Sequence, residues 1–258
     1  MKVLAIVNNK GGVGKTTSAQ NIGAALAKSG GRTLMIDLDA QASLTRSFGF
    51  SQEEVDTNVG SFILNEAKFE QVVLSNGLLD ILPSSVALTA KEEAIKSAAV
   101  YPFNLKIALD KIKSRYDYVI IDCPPALSGL TRIALVACSE YFIPLQPEFL
   151  SYEGLRNFLQ FANDIQQISN GILLGGVFAT RYNPRIRKKL SHDLIASASE
   201  QLQDRFLQTY IRDNIALSEA QAKGINIFDY APESNGAADY YNLTKEILER
   251  INNYGERK

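Results

Sequence analysis

A chain of 258 residues, 46% hydrophobic and 21% charged, holds enough apolar material for one sizeable core, and residues 1–258 read as a single domain. No stretch approaches the roughly 18 uncharged apolar residues that a membrane span needs. The two cysteines, Cys123 and Cys138, give no support to a disulfide framework or metal cluster, which fits a reducing cytoplasm, and a net charge of −1 means that nucleic-acid binding would need a local patch.

In chain order, β-branched apolar runs alternate with segments of helical period. Strands are expected over residues 2–7, 33–37, 78–82, 118–122, 140–144 and 171–180, and helices over 16–28, 104–114, 129–138, 152–168, 187–203 and 237–252. Several of the strands are almost continuous apolar runs, as strands buried on both faces are. The alternation predicts an α/β fold, a mostly parallel twisted sheet flanked by helices on both faces. The first strand begins at once, so neither a signal peptide nor an N-terminal DNA-reading module is expected.

Between the first strand and the first helix lies Lys10-Gly11-Gly12-Val13-Gly14-Lys15-Thr16-Thr17. Glycines there let successive backbone N–H groups converge on one spot, and the helix dipole adds positive potential, so polyphosphate is the natural guest. The expected nucleotide ligands are Gly11, Gly12, Val13, Gly14, Lys15, Thr16 and Thr17. Lys15 would reach the outer phosphates, Thr17 would sit near the inner ones, and the Thr16 hydroxyl would hold Mg²⁺, a hard cation that takes oxygen ligands. The usual string G-x-x-x-x-G-K-[ST] fails at its first position, where Asn9 stands, and a second lysine, Lys10, appears. The bland alternatives are a glycine turn that caps a strand and a solvated loop lysine.

Two further strands end in carboxylates, where open α/β sheets build their ligand crevice. Leu34-Met35-Ile36-Asp37-Leu38-Asp39 supplies two of them, and either residue could instead be a helix cap or a loop anchor. Tyr118-Val119-Ile120-Ile121-Asp122 supplies the third, followed by Cys123-Pro124-Pro125. It reads as a Walker B element whose Asp122 holds Mg²⁺ through water, with the prolines stiffening a loop near the γ-phosphate. Cys123 is expected to be a small buried side chain without a redox role.

Over essentially its whole length the sequence resembles the deviant Walker A ATPases of the ParA and MinD group, which are P-loop NTPases. The resemblance implies ATP and Mg²⁺ as cofactors and a homodimer formed around them. It implies that Lys10 reaches across the dimer interface to the other subunit's nucleotide, so that Lys10, Lys15 and Asp39 are the catalytic residues. Through the family's DxDxQ segment, Asp39 would orient the attacking water while Asp37 supports the metal shell and the loop; Thr16, Asp37 and Asp122 are thus the metal set. ATP rather than GTP follows from the family, and no guanine-reading NKxD motif is in place.

The last third separates the functions this group covers. Thr180 to Lys189 carries five cations, and Arg185, Arg187, Lys188 and Lys189 form a candidate DNA-binding patch of the kind that follows a phosphate backbone without reading sequence. A solvated helix face is the alternative. Arg185 aligns with an arginine that contacts DNA in partition ATPases. The segment Ile211-Arg212-Asp213-Asn214-Ile215-Ala216-Leu217-Ser218-Glu219-Ala220 resembles the family's IPRNxRLSEA. It departs at Arg212, Asp213 and Ala216, where proline and two arginines are usual. In relatives, segments near Thr180 and Asp213 often line the adenine pocket. The C-terminal residues end polar, so a membrane-seeking terminal helix of the MinD kind is not expected. His192, the only histidine, is expected at the surface.

Three readings follow. The leading one is a ParA-type ATPase for plasmid or chromosome partition, an ATP-dependent sandwich dimer that binds DNA without sequence preference. It hydrolyses weakly alone, is released by hydrolysis that a ParB-like partner stimulates, and is cytoplasmic with no membrane contact. The second keeps the nucleotide switch in a ParA-like positioning ATPase for a protein cargo or envelope complex. The third, a metabolic amidoligase, gives Lys10 no clear use.

Overall fold

The computed structural model describes residues 1–169, 171–186 and 188–255. Among these the elements in chain order are β1 (Lys2–Ile6), α1 (Lys15–Lys28), β2 (Thr33–Asp37), α2 (Ser43–Ser47), α3 (Val59–Ile63), α4 (Phe69–Val72), β3 (Leu74–Ser75), β4 (Asp80–Leu82), α5 (Leu88–Ser97) and α6 (Asn104–Asp110). There follow β5 (Tyr118–Asp122), α7 (Gly129–Ala137), β6 (Glu140–Leu145), α8 (Phe149–Gln166), β7 (Leu173–Ala179), α9 (Lys189–Leu202), α10 (Ile215–Ala222), α11 (Ile227–Tyr230) and α12 (Asn235–Gly255).

The strands form one seven-stranded sheet in the order β3-β4-β2-β5-β1-β6-β7, parallel except for β3 against β4. Alternate residues of β1 serve opposite faces, as the two-residue period of a strand requires. Val3, Ala5 and Val7 join the core under α3 and α5 to α9, while Leu4 and Ile6 join the core under α1, α2 and α10 to α12. Helices therefore cover both faces, and strands with no polar face are the consequence. Register then does the functional work: Ile6 lies opposite Asp122 and Asp37 opposite Asp122, which brings the ends of β1, β5 and β2 level at one edge.

Of the expected strands, the one over 78–82 is reduced to β4, which pairs with the unforeseen antiparallel β3. The short helices α2, α3 and α4, with α5, fill the stretch between β2 and α6. α2 to α4 have too few turns to print a helical period on the sequence, and these helices form because the core offers their apolar residues a surface. The last helix packs Tyr240, Leu243, Ile247 and Ile251 onto the sheet, as its sequence suggested.

Two chain crossings meet at Gly224 and Gly49. Gly224 follows α10 with φ of 70°, and a β-carbon there would lie 2.5 Å from Gly49 Cα and 2.7 Å from Gly49 N. Those are backbone atoms and cannot swing aside. Gly224→Ala is expected to cost about 2–4 kcal/mol through overpacking and the left-handed conformation. Differential scanning fluorimetry should show a fall of about 2–4 °C per kcal/mol for a chain of this size, and an unchanged melting temperature would refute the tight crossing.

Candidate functional site

The loop between β1 and α1 is held at its ends and left open on one side. Asn8 Nδ2 donates to the Pro144 carbonyl at 2.8 Å and its Oδ1 accepts from Lys10 N at 3.0 Å, so the loop begins tied to β6. The Thr180 hydroxyl, just past β7, donates to the Val13 carbonyl at 2.9 Å. Thr17 Oγ1 donates to Gln221 Oε1 of α10 at 3.1 Å. Gly14, at φ 92°, occupies the N-cap of α1 with no side-chain cap, so the first N–H groups of that helix stay available to an anion. A β-carbon on Gly11 or Gly12 would meet nothing within 4 Å, the open side of a cradle. Asn9 stands outside the set of positive-φ residues, so that position does not require glycine; its side chain instead faces Gly154 of α8, where a β-carbon would come within 2.8 Å of Oδ1.

Lys15 is buried and donates from Nζ to the Lys10 carbonyl at 2.9 Å. Burial pulls its pKa below the usual lysine value, and the nearby Asp122 works in the opposite direction. Asp122, 1% exposed, accepts from Thr16 Oγ1 through Oδ2 at 2.7 Å, while its Oδ1 is buried with no hydrogen-bond partner. Burial, reinforced by Asp37, pushes the Asp122 carboxyl well above the ordinary carboxylate range. An orphaned carboxylate oxygen beside a threonine hydroxyl at the foot of a glycine cradle is what a hydrated Mg²⁺ would complete.

Asp37 is 0% exposed and fully engaged. Its Oδ2 accepts from Thr45 N and Oγ1 at 2.9 and 2.8 Å, and its Oδ1 accepts from Asp39 N at 3.1 Å, so it fixes the turn that presents Asp39. Burial raises its pKa to about 6 despite those donors. Asp39 accepts from Gln41 N at 2.9 Å and lines the cavity.

Lys10 leaves the cavity and crosses to the start of α8, where Nζ lies 2.5 Å from Glu148 Oε2 and 2.9 Å from Ser151 Oγ. The Glu148 carboxylate is further held by Gln146 Nε2 at 2.7 Å from Oε1. Sequence reading did not single out Glu148, Ser151 or Gln221. The one signal for Glu148 was its place just past a buried parallel strand, at the sheet edge where ligands gather.

The loop opens into a cavity of about 380 Å³, lined by Gly11 to Thr17, Asp39, Pro125, Thr180, Arg181, Ile211 to Asn214, Leu217, Ser218 and Gln221. The fold thus joins the glycine loop to the segments near Thr180 and Asp213. Arg185, Lys188 and Lys189 lie exposed beyond β7, away from the cavity lining; Arg187 lies outside the described residues. His192 steadies that basic segment, its Nε2 2.8 Å from the Ile186 carbonyl and its Nδ1 2.9 Å from Tyr182 OH. Both contacts are satisfied when Nε2 carries the proton and Nδ1 accepts from tyrosine. Among the described residues no helix is long and apolar enough to cross a membrane.

A family profile described as an AAA domain matches residues 1–174. The sporulation initiation inhibitor protein Soj of Bacillus subtilis is 35% identical over 249 residues, 95% of this chain and 98% of its own. The chromosome partitioning protein ParA of Caulobacter vibrioides is 33% identical over 255 residues, 97% and 95% of the two chains. Among solved structures, the cobyrinic acid a,c-diamide synthase of Mycobacterium smegmatis with a bound ATP analogue and magnesium superposes with a TM-score of 0.86 at 31% identity, covering 97% of this chain and 95% of its own. With a lysine-bearing glycine loop level with two buried strand-end aspartates, and with Soj and ParA alike along almost its whole length, this chain belongs to the ParA/MinD-type family of P-loop ATPases.

Proposed function

We propose that the protein is a partition-type ATPase that binds ATP and Mg²⁺ in this cavity, dimerises around two nucleotides and holds DNA non-specifically as the dimer. The observation that carries the nucleotide assignment is the unpartnered Asp122 Oδ1 at the foot of the open loop, beside Thr16. Gly11 to Thr17 bind the phosphates through backbone N–H groups, and Lys15 adds the charge that outer phosphates require. Thr16 Oγ1 and, through water, Asp122 would hold Mg²⁺, which would supply charge neutralisation to the phosphates. Asp37 supports that shell from behind, through the turn it anchors. Asp39 orients the attacking water.

Lys10 exchanges Glu148 and Ser151 for the other subunit's phosphates and supplies positive charge to its transition state. The exposed apolar side chains of Leu127 and Phe149 support a dimer at this edge, since they follow the Walker B strand and Glu148 respectively and gain by being covered. Isolated turnover is slow because positioning is incomplete, and a ParB-like partner completes it. Arg185, Lys188 and Lys189, with Arg187, contact phosphates. Amide formation, in the name of the M. smegmatis neighbour, leaves Lys10 without a task.

The second reading, positioning of a protein cargo, is favoured by one surface. Where the family carries arginines, this chain has Asp213 and Ala216, and Ile215 between them is 76% exposed. Titrating random duplex DNA with ADP or ATP at several salt concentrations decides between the two. The partition reading expects binding with ATP alone, a steep fall in log K against log salt, and a slope reduced by about one in Arg185→Ala. A dimer that ignores DNA at every salt concentration would leave the protein-cargo reading.

A further inference from the structure

We propose that Arg212 and Asp239 form a clamp that positions the base end of the nucleotide, which makes them specificity residues of this ATPase. The inference rests on the reading that nucleotide occupies the cavity at the glycine loop. That cavity has two walls. One is the loop with the start of α1, and the other is the segment from Ile211 to Ser218. A nucleotide spans both, so its affinity depends on how firmly the second wall stands relative to the first.

Ile211 is secured to β7 by the main chain, its N–H donating to the Ala179 carbonyl at 2.8 Å and its carbonyl accepting from Tyr182 N at 3.1 Å. The next residue leaves the strand edge and depends on a side chain. Arg212 N donates to Asp239 Oδ2 at 2.9 Å, Nε lies 3.1 and 3.0 Å from Oδ1 and Oδ2, and Nη2 donates to Oδ1 at 2.6 Å. One nearly buried carboxylate thus holds both the backbone and the planar guanidinium of a cavity-lining residue. Paired, charge-assisted bonds of this kind fix geometry as well as adding energy.

Asp239 sits on α12, and the adjacent Tyr240 reaches the other wall, its OH 3.1 Å from Ser18 Oγ on α1. Neighbouring residues of a single helix therefore hold the base wall and the helix that follows the phosphate loop, which sets the span between them. A guanidinium held flat by a carboxylate presents a face on which a purine stacks. Beside it the exposed Asp213 carboxylate offers only acceptor oxygens, matched to an exocyclic amino group.

The clamp acts at the base end of the cavity, so its loss is read apart from the phosphate contacts. Calorimetric titration of the full chain with Mg·ATP, Mg·ADP and Mg·tripolyphosphate would compare wild type, Arg212→Ala, Asp239→Asn and the double variant. Arg212→Ala is expected to weaken both nucleotides about tenfold, as loss of a charged pair does, and to leave tripolyphosphate affinity unchanged. The single variants should be non-additive in the double, because they break one unit. Equal losses for ATP and tripolyphosphate, or no loss for ATP, would overturn the clamp. Lys15→Ala serves as the control for the underlying reading: if Mg·ATP still binds that variant at wild-type affinity, the nucleotide lies elsewhere and both ideas fall.

Discussion

Lys15→Ala is expected to weaken Mg·ATP binding about 100-fold or more and to reduce hydrolysis to background, because each bond to a charged group is worth about 1.5–3 kcal/mol and Lys15 would donate more than one to the phosphates. The size of the effect comes from burial. Lys15 enters the cavity already desolvated, its Nζ donating to the Lys10 carbonyl. A phosphate that displaces that carbonyl meets a preorganised cation in a site of low dielectric, where little has to be reorganised. Equilibrium binding of a fluorescent ATP analogue, with phosphate release measured alongside, checks the result. Retention of wild-type affinity would remove the glycine loop from the nucleotide site.

Lys10→Ala should behave in the opposite way, leaving nucleotide binding to the single chain within a few-fold of wild type while turnover in the dimer falls about 10³-fold, the scale of a charge supplied in trans. Its contacts in the single chain explain the split. The ion pair with Glu148 has side chains 28% and 53% exposed, so losing it costs the fold at most about 1 kcal/mol. Lys10 therefore contributes little to the chain that carries it, and its proposed work lies in the partner subunit's site. Sedimentation with ATP and single-turnover hydrolysis separate the two effects. A variant that dimerises and hydrolyses normally would return Lys10 to the status of a surface lysine.

The glycine loop, the two strand-end aspartates and the parallel α/β architecture were all legible as local strings, because each depends on residues contiguous in sequence. Gly11 to Thr17 needs only a strand before it and a helix after it. Asp37 and Asp122 need only to end buried strands, since a parallel sheet aligns such ends without further instruction. The basic segment was legible as charge, while the contacts of His192 with Tyr182 and the Ile186 carbonyl became visible only once a helix had turned back on the loop before it.

Other features were decided by tertiary structure alone. Asp37 and Asp39 look equivalent in sequence, but Asp37 ends β2 and is buried against Thr45, while Asp39 lies past the strand, in the turn that Asp37 anchors, and lines the cavity. Glu148 meets Lys10 across 138 residues, and Asp239 meets Arg212 across 27. Neither pairing has a period or a spacing that a string can carry. What the sequence alone determined was the chemistry at the end of each strand, which local propensity and burial dictate. Which distant side chains would hold that chemistry in place awaited the packing of α8, α10 and α12, because a contact between remote residues is set by the shape of the whole core.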